Sequence, residues 1–401
     1  MRLPDPVDGW AERVTFSRAQ RRWFRQLDQA ASQFEPSGGL APHLASLERD
    51  RPVHVVVVPQ EGEDFGTFQA GTRNLYWEAA QTLRELTSAG VVSAFTVARD
   101  VAPESWHRDL LGYLQDVRAT HLITHIESDP GADGHAWTWD KPARVLAESW
   151  DGVVLGVLFD SAWPWIAAKA RYLARMSPRF LAVDICGPLD GRLVRGRPEV
   201  GPVNMPISDA SMSLVDDRLA HVTHEWDVSF IGAMYPYRVE LVERLRAAGV
   251  SVVVNPHRAD RAEDFASSRA NQPTWLDYMA GLRSSRMTIN FSRSSAGPIE
   301  QLKTRVLEAT LAGTVLLTDD LDRTRLFFDE GLEYVHFRDE QHLPMVVTGL
   351  LADPGRLMAI ATAGNGRARA LARTSFWEGI DAGLRRRRLP AILPDGTGTH
   401  G

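Results

Sequence analysis

Short runs of nearly continuous apolar residues alternate with longer amphipathic stretches along most of the chain. In the first half the runs are VHVVVVP (53–59), VVSAFTV (91–97), HLITHIE (121–127), GVVLGVLF (152–159) and RFLAVDI (179–185). Continuous rather than alternating apolar character predicts strands buried on both faces, as in parallel sheets. The stretch GTRNLYWEAAQTLRELTSAG (71–90) predicts a helix that stops on Gly90. Residues 187–226 are rich in Gly, Pro, Asp and Ser and show no period, which predicts a connection between domains. The alternation then restarts. VSFIGAM (228–234), VSVVVN (250–255), MTINFS (287–292), TVLLTDD (314–320) and EYVHF (333–337) predict strands, and YRVELVERLRAAG (237–249) a helix ending on Gly249. Strands alternating with helices predict an α/β protein. Two doubly wound, Rossmann-like domains facing across a cleft account for the two halves, with ligands expected at the carboxyl ends of the strands. The boundaries expected are a helical extension over 1–50, a first domain over 51–205, a second over 206–375, and a C-terminal helix with a disordered tail over 376–401. Residues 12–34 predict a basic amphipathic helix, packed on its own domain or lying on a membrane surface or acceptor.

Composition narrows the function. A length of 401 residues favours two cores over one. Hydrophobic content of 44% and charged content of 24% are those of a soluble globular protein. A net charge of -6 argues against a nucleic-acid partner, which demands a basic excess. The single cysteine, Cys186, excludes an internal disulfide and suits a reducing compartment. No apolar run reaches bilayer length and the start has no signal-peptide core, so a cytoplasmic location is expected.

The candidate chemistry is concentrated in EQLKTRVLEATLAGTVLLTDD, residues 300–320. If the run from Glu300 to Glu308 is helical, its carboxylates stand about 12 Å apart. That is roughly the reach from a ribose across a diphosphate to an attached sugar. Carboxylates accept hydrogen bonds from ribose and sugar hydroxyls, and the intervening Lys303 and Arg305 can hold phosphates. On a helical wheel Leu302, Val306, Ala309 and Gly313 share the buried face, whereas Arg305 and Glu308 point away from it. The competing reading is an exposed Arg305–Glu308 pair worth roughly 0.3 kcal/mol. FIGAMYPYR (230–238) predicts a strand, a glycine turn at Gly232 and a helix start, where backbone N–H groups can meet an anion. Asp160 ends a strand, as a sugar ligand, a base or a helix cap. His125 and Glu127 stand at another strand end, His125 equally well as a core histidine. His221, His224, Glu225 and Asp227 lack the order of a helical zinc motif, so no metal is expected. Neither a GxxxxGK[ST] phosphate loop nor a GxSxG elbow occurs.

A Glu, seven residues, a second Glu, then Ala and Gly before a strand resembles the signature of GT-B glycosyltransferases. With Arg305, Glu308-Ala309, Gly313, TVLLTDD, LFFDEGLEYVHF and LADPGRLMAIATAGNGRARA in order, the chain looks most like the CgeB-like, glycosyl-transferases-group-1 branch. The likeness spans Phe230 to Arg373. It implies a GT-B fold and transfer of a sugar from a nucleotide-sugar donor, needing neither cofactor nor metal, with retention of anomeric configuration. The acceptor, a small molecule, glycan or lipid-linked molecule, would dock on the first domain. By resemblance Glu308 binds the ribose, Glu300 faces the donor sugar, and Arg238, Arg305 and Lys303 take the diphosphate. Gly66 and Thr67, in the loop QEGEDFGTFQAG (60–71), would contact donor or acceptor. Two departures stand out. Gln301-Leu302-Lys303 replaces the Gly-Phe-Gly of many relatives, and Asp160 stands where retaining relatives carry a histidine. These favour one alternative, a non-catalytic sugar or nucleotide binder; a second alternative is a different enzyme on the same two-domain plan, such as a nucleotide-sugar epimerase.

Overall fold

A computed structural model describes residues 51–58, 75–97, 106–126, 140–159, 170, 173–174, 177–186, 200–232, 234–257, 274–293 and 300–394. The apolar runs form two five-stranded sheets. The first holds β1 (His54–Val58), β2 (Ala94–Val97), β3 (His121–His125), β4 (Val153–Leu158) and β5 (Phe180–Asp184). The second holds β6 (Trp226–Phe230), β7 (Val252–Val254), β8 (Ser285–Asn290), β9 (Val315–Thr318) and β10 (Val335–His336). Every pairing is parallel. The orders are β2-β1-β3-β4-β5 and β10-β9-β8-β6-β7, the same winding twice. This is the architecture expected of the GT-B plan: two doubly wound parallel-sheet α/β domains. The order matters for function. In such a sheet the crevice opens where the winding reverses, between β1 and β3 in the first domain and between β6 and β8 in the second.

Nine helices are described: α1 (Leu75–Ser88), α2 (Trp106–Asp116), α3 (Asp140–Ser149), α4 (Asp209–Leu219), α5 (Pro236–Ala247), α6 (Trp275–Arg283), α7 (Arg305–Leu311), α8 (His342–Ala352) and α9 (Pro354–Arg386). They cover both faces of each sheet. Val55 and Val57 pack with Leu75, Ala79 and Leu83 of α1, while Val56 faces Leu110 and Leu114 of α2. Val228 and Phe230 pack with Leu241 and Leu245 of α5, and Leu316 faces Met279, Leu282 and Val306. Each such side chain, fully buried, contributes about 1.5–3 kcal/mol, which is why the runs are apolar at every position.

Two features bear on the sequence-based division. The stretch 187–226 contains α4, which the pattern hides because only Ser211, Met212 and Val215 of it are buried. Ser208 caps its first turn, accepting from Ser211 N at 3.2 Å. Glu78 of α1 then accepts from Ser208 N at 2.8 Å and from the Ser211 hydroxyl at 2.5 Å. A carboxylate at a helix N-terminus is favourable, so Glu78 ties the first domain to the start of the second. The boundary drawn at 375 falls inside α9. Ala368 and Ala372 pack in the second domain, whereas Phe376, Trp377, Ile380 and Leu384 enter the first core. Among the described residues no single helix is long and apolar enough to cross a bilayer. The amphipathic stretch 12–34 and the tail after Pro394 lie outside the described residues.

Candidate functional site

The second switch point is built at the ends of β6 and β8. After β6 the chain turns at Gly232, whose φ of 144° is open to glycine and strained for other residues. A Cβ there would stand 3.1 Å from an Arg305 amine nitrogen and 3.2 Å from the Phe230 ring. The glycine is therefore what lets Arg305 reach across the end of β6, where its guanidinium donates to the Ile231 carbonyl. Its N–H does not await an anion, contrary to expectation. Gly232 N donates to Asn255 Oδ1 at 2.8 Å, and Asn255 Nδ2 returns a bond to the Gly232 carbonyl at 3.3 Å. Asn255, fully buried at the end of β7 with φ of 49°, clamps the turn. Asn tolerates this left-handed geometry better than most residues.

The positive charge at this point comes from side chains. Arg238 lies in the first turn of α5 and is only 7% exposed, not the surface arginine that position suggests. Its guanidinium carbon lies 4.7 Å from the Tyr235 ring centroid and 5.3–5.4 Å from those of Phe230, Tyr237 and Phe291. Nε donates to Tyr237 Oη at 2.8 Å and an amine nitrogen to the Arg293 carbonyl at 3.0 Å. Arg305 lies 5.3 Å from the same Phe230 ring and 3.5 Å from Asn290 Oδ1, and its Nε is buried without a hydrogen-bond partner. These hydrogen bonds all run to uncharged acceptors. Burial first, and the Arg305 charge further down, lower the Arg238 pKa from its ordinary value. Two cations at one ring put a concentration of positive charge in a partly desolvated place, which suits an anion.

The Glu300–Glu308 ruler takes a different form from the helix expected. α7 begins only at Arg305. Glu300 forms an antiparallel bridge with Arg293, Gln301 N donates to Ser292 O at 3.0 Å, and Leu302 N donates to Cys186 O at 2.8 Å. These N–H groups are committed to β8's exit and to the first domain, so the segment is an extended strap between domains. Lys303 Nζ is hydrogen-bonded to Gln301 Oε1 at 2.9 Å. Glu308 is 5% exposed rather than outward-facing. Its carboxylate accepts from Trp275 Nε1 and Tyr278 Oη, each at 3.2 Å, and not from Arg305. Burial and this carboxylate push the Tyr278 hydroxyl well above its usual range. Trp275 and Tyr278 come from α6, whose capping box at Thr274 and Asp277 fixes its start. No signal within 300–320 points to that helix.

In the first domain His125 closes β3, buried and edge-on to Phe159 at 5.9 Å. Gly66, Thr67, Glu127 and Asp160 lie outside the described residues. Gly66 and Thr67 follow β1 and Glu127 follows β3 in sequence, the two strands that flank the first switch point. Asp160 comes two residues after β4. Away from both switch points, His224 Nδ1 lies 3.0 Å from the Arg283 carbonyl. Among the described residues no group of His, Cys, Asp and Glu is disposed to hold a metal ion. A cavity of about 700 Å³ lies at the opposite end of the second sheet, lined by Arg286, Gly313 and Leu357 among others. Its floor meets the amino ends of β8 and β9, so its size does not mark the site. Asn255, Asn290, Trp275 and Tyr278 carry the site's geometry and escaped sequence reasoning. The two Asn residues did leave a trace, as polar residues closing apolar strands.

No curated protein matches the chain. Among solved structures, AviGT4, a glycosyltransferase involved in avilamycin A biosynthesis, is 15% identical. The alignment covers 84% of this chain and 98% of that one, with a TM-score of 0.48. The Anabaena protein HepE in complex with UDP is 13% identical over 83% of this chain and 100% of its own, at 0.48. Sucrose-phosphate synthase from Thermosynechococcus elongatus is 12% identical over 84% and 98%, at 0.45. Likenesses this distant transfer no residue roles. The sequence match is more specific, though it does not single out the CgeB-like branch: residues 238–377, which hold Arg238, Lys303, Arg305 and Glu308, match the glycosyl transferase-like family.

Proposed function

We propose that the protein is a glycosyltransferase that takes a nucleoside-diphosphate sugar, with the nucleotide on the second domain and the acceptor on the first. The observation that carries this reading is the convergence of Arg238 and Arg305 on the Phe230 ring, at the switch point of a sheet bearing the glycosyl transferase-like match. The two guanidiniums hold the diphosphate. As the sugar–phosphate bond breaks, negative charge builds on the departing diphosphate. Cations already fixed there stabilise that charge without reorganising. They take the part a metal plays elsewhere, so the reaction needs no cofactor beyond the donor.

Glu308, held by Trp275 and Tyr278, receives the ribose hydroxyls on its remaining lone pairs. Lys303, on the interdomain strap, adds positive charge from the first-domain side. Glu300, beside Arg293 at the other end of the strap, faces the donor sugar. Retention of anomeric configuration goes with that Glu-seven-Glu arrangement. His125, Gly66, Thr67, Glu127 and Asp160 serve the acceptor or the reacting sugar from the first domain. The protein works in the cytoplasm.

A thermal-shift panel of UDP, GDP, ADP, CDP and TDP tests the donor site. A ligand that binds only the folded state raises the melting temperature, by about 2.7 kcal/mol of added stability at a hundredfold excess over Kd. The matching nucleotide-sugars are then incubated with the protein and their products resolved by chromatography. Release of the free diphosphate supports transfer chemistry. Conversion to an isomeric nucleotide-sugar identifies an epimerase, and binding without either change identifies a non-catalytic binder.

A further inference from the structure

At the carboxyl end of β9 the chain places three carboxylates in four residues: Asp319, Asp320 and Asp322. The turn is tight. Asp320 and Arg323 both adopt positive φ, 52° and 57°. Asp322 is fully buried. Burial, reinforced by Asp319 and Asp320, pushes its carboxyl up to about 7. A buried acid among like charges disfavours the folded state at neutral pH, so a neutral side chain would be more stable here. Its neighbours show what the acid provides.

Asp322 accepts from Thr324 Oγ1 at 2.8 Å and from Asn290 Nδ2 at 3.0 Å. Asn290, fully buried at the end of β8, also points Nδ2 at Thr318 Oγ1, 3.3 Å away. Its Oδ1 is thereby turned to Arg305 Nη1. An asparagine amide is nearly symmetric in shape and can be reversed in place. Reversal would set its NH2 against the guanidinium, donor against donor. A carboxylate accepts only, and so holds the amide the right way round. A protonated carboxyl offers one donor and loses that discrimination.

We propose that Asp322, acting through Asn290, is a positioning residue for Arg305 that holds its guanidinium where the donor's diphosphate meets it. This rests on the reading of Arg305 as a diphosphate ligand. The groups around Asp322 that could also titrate or carry charge are Asp319 and Asp320 in its own turn, with Arg293 facing Asp319 and Arg325 and Tyr334 facing Asp320. Arg305 stands beyond Asn290.

Two readouts on the full chain decide it. The first needs no ligand. The 15N signal of the Arg305 guanidinium, followed from pH 5.5 to 8.5, should show an inflection near pH 7 in the wild type that Asp322→Asn abolishes. The second is calorimetric affinity for the diphosphate and the nucleoside of the base selected from the UDP, GDP, ADP, CDP and TDP panel, at pH 8. Asp322→Asn should weaken the diphosphate about tenfold, leave the nucleoside unchanged, and leave the melting temperature equal or higher. Removing a negative charge would by simple electrostatics tighten diphosphate binding, so a rise overturns the proposal. Equal losses for nucleoside and diphosphate with a lowered melting temperature indicate a merely structural role and also overturn it. Absence of the Arg305 inflection refutes the coupling whatever the ligand result. If the inflection is present and no diphosphate binds the wild type, the donor reading falls and the coupling stands.

Discussion

Replacing Glu308 separates its work in the fold from its work on a nucleotide. Glu308→Ala leaves two buried donors, Trp275 Nε1 and Tyr278 Oη, without their acceptor. An orphaned buried donor costs about 1–3 kcal/mol, so the loss of stability is about 2–6 kcal/mol. Part of any affinity lost by this variant would then be damage to the fold. Glu308→Gln keeps one carbonyl oxygen, orphans one donor, and is expected to lose about 1–3 kcal/mol. Its amide retains shape but not charge. Nucleoside binding should fall by about 1.5–3 kcal/mol, the range for hydrogen bonds to a charged group. Urea denaturation gives the stability term and titration calorimetry of the folded Gln variant gives the binding term. Undiminished nucleoside affinity in that variant would remove the ribose assignment. A Glu308→Ala protein as stable as the wild type would refute the account of the carboxylate's burial.

Arg238→Ala should destabilise by about 2–4 kcal/mol, because the guanidinium fills a space among four aromatic rings. Arg238→Met should recover most of that stability and none of the diphosphate affinity, and recovery of both would show that the charge is not used. Asp160→Asn should lower turnover at least about tenfold, some 1.4 kcal/mol of transition-state stabilisation. Near-normal turnover would make Asp160 a helix cap, since Asn and Asp cap about equally. His121 opens β3 fully buried, its Nε2 3.0 Å from the Pro390 carbonyl of the C-terminal segment, and burial lowers its pKa to about 4. The unfolded chain then binds the extra proton between about pH 6.5 and 4, so stability is lost as pH falls through that window, by about 3 kcal/mol. Asp322 has the opposite slope over nearly the same range, so the histidine's effect is best read in Asp322→Asn by denaturant titration at pH 4.5 and 7. A flat profile there would contradict the burial of a neutral His121.

Where interactions are local in sequence, the fold was legible. Each of the ten strands lies within or at the edge of an apolar run, because parallel strands are buried on both faces and leave an unbroken signal. Strand order left no such signal, since nothing in VHVVVVP says that β3 and not β2 follows it across the switch point. α4 was hidden because its burial is slight and its anchor, Glu78, is 130 residues away. The wheel placed Glu308 away from its helix's own core face, but α6 brings Trp275 and Tyr278 over that side. Glu300 to Lys303 read as helix because propensity sees neighbours. It does not see the Ser292 and Cys186 carbonyls that hold the segment extended. Arg238 was identifiable as a cation just after a glycine turn, and Arg305 as one lying between two glutamates. Their shared seat on Phe230, and Asn255's claim on the Gly232 N–H, needed three dimensions.

On the proposed reading the second domain grips a diphosphate through guanidiniums at its switch point. Calorimetry of the preferred nucleoside diphosphate and its nucleoside, on wild type and Arg305→Ala, tests it most directly. Arg305 makes its hydrogen bonds at the rim of the turn, to Ile231 and Asn290, so the variant should fold. Diphosphate affinity should fall by about 1.5–3 kcal/mol with nucleoside affinity unchanged. Equal losses for the two ligands, or a diphosphate affinity indifferent to Arg305, would contradict it.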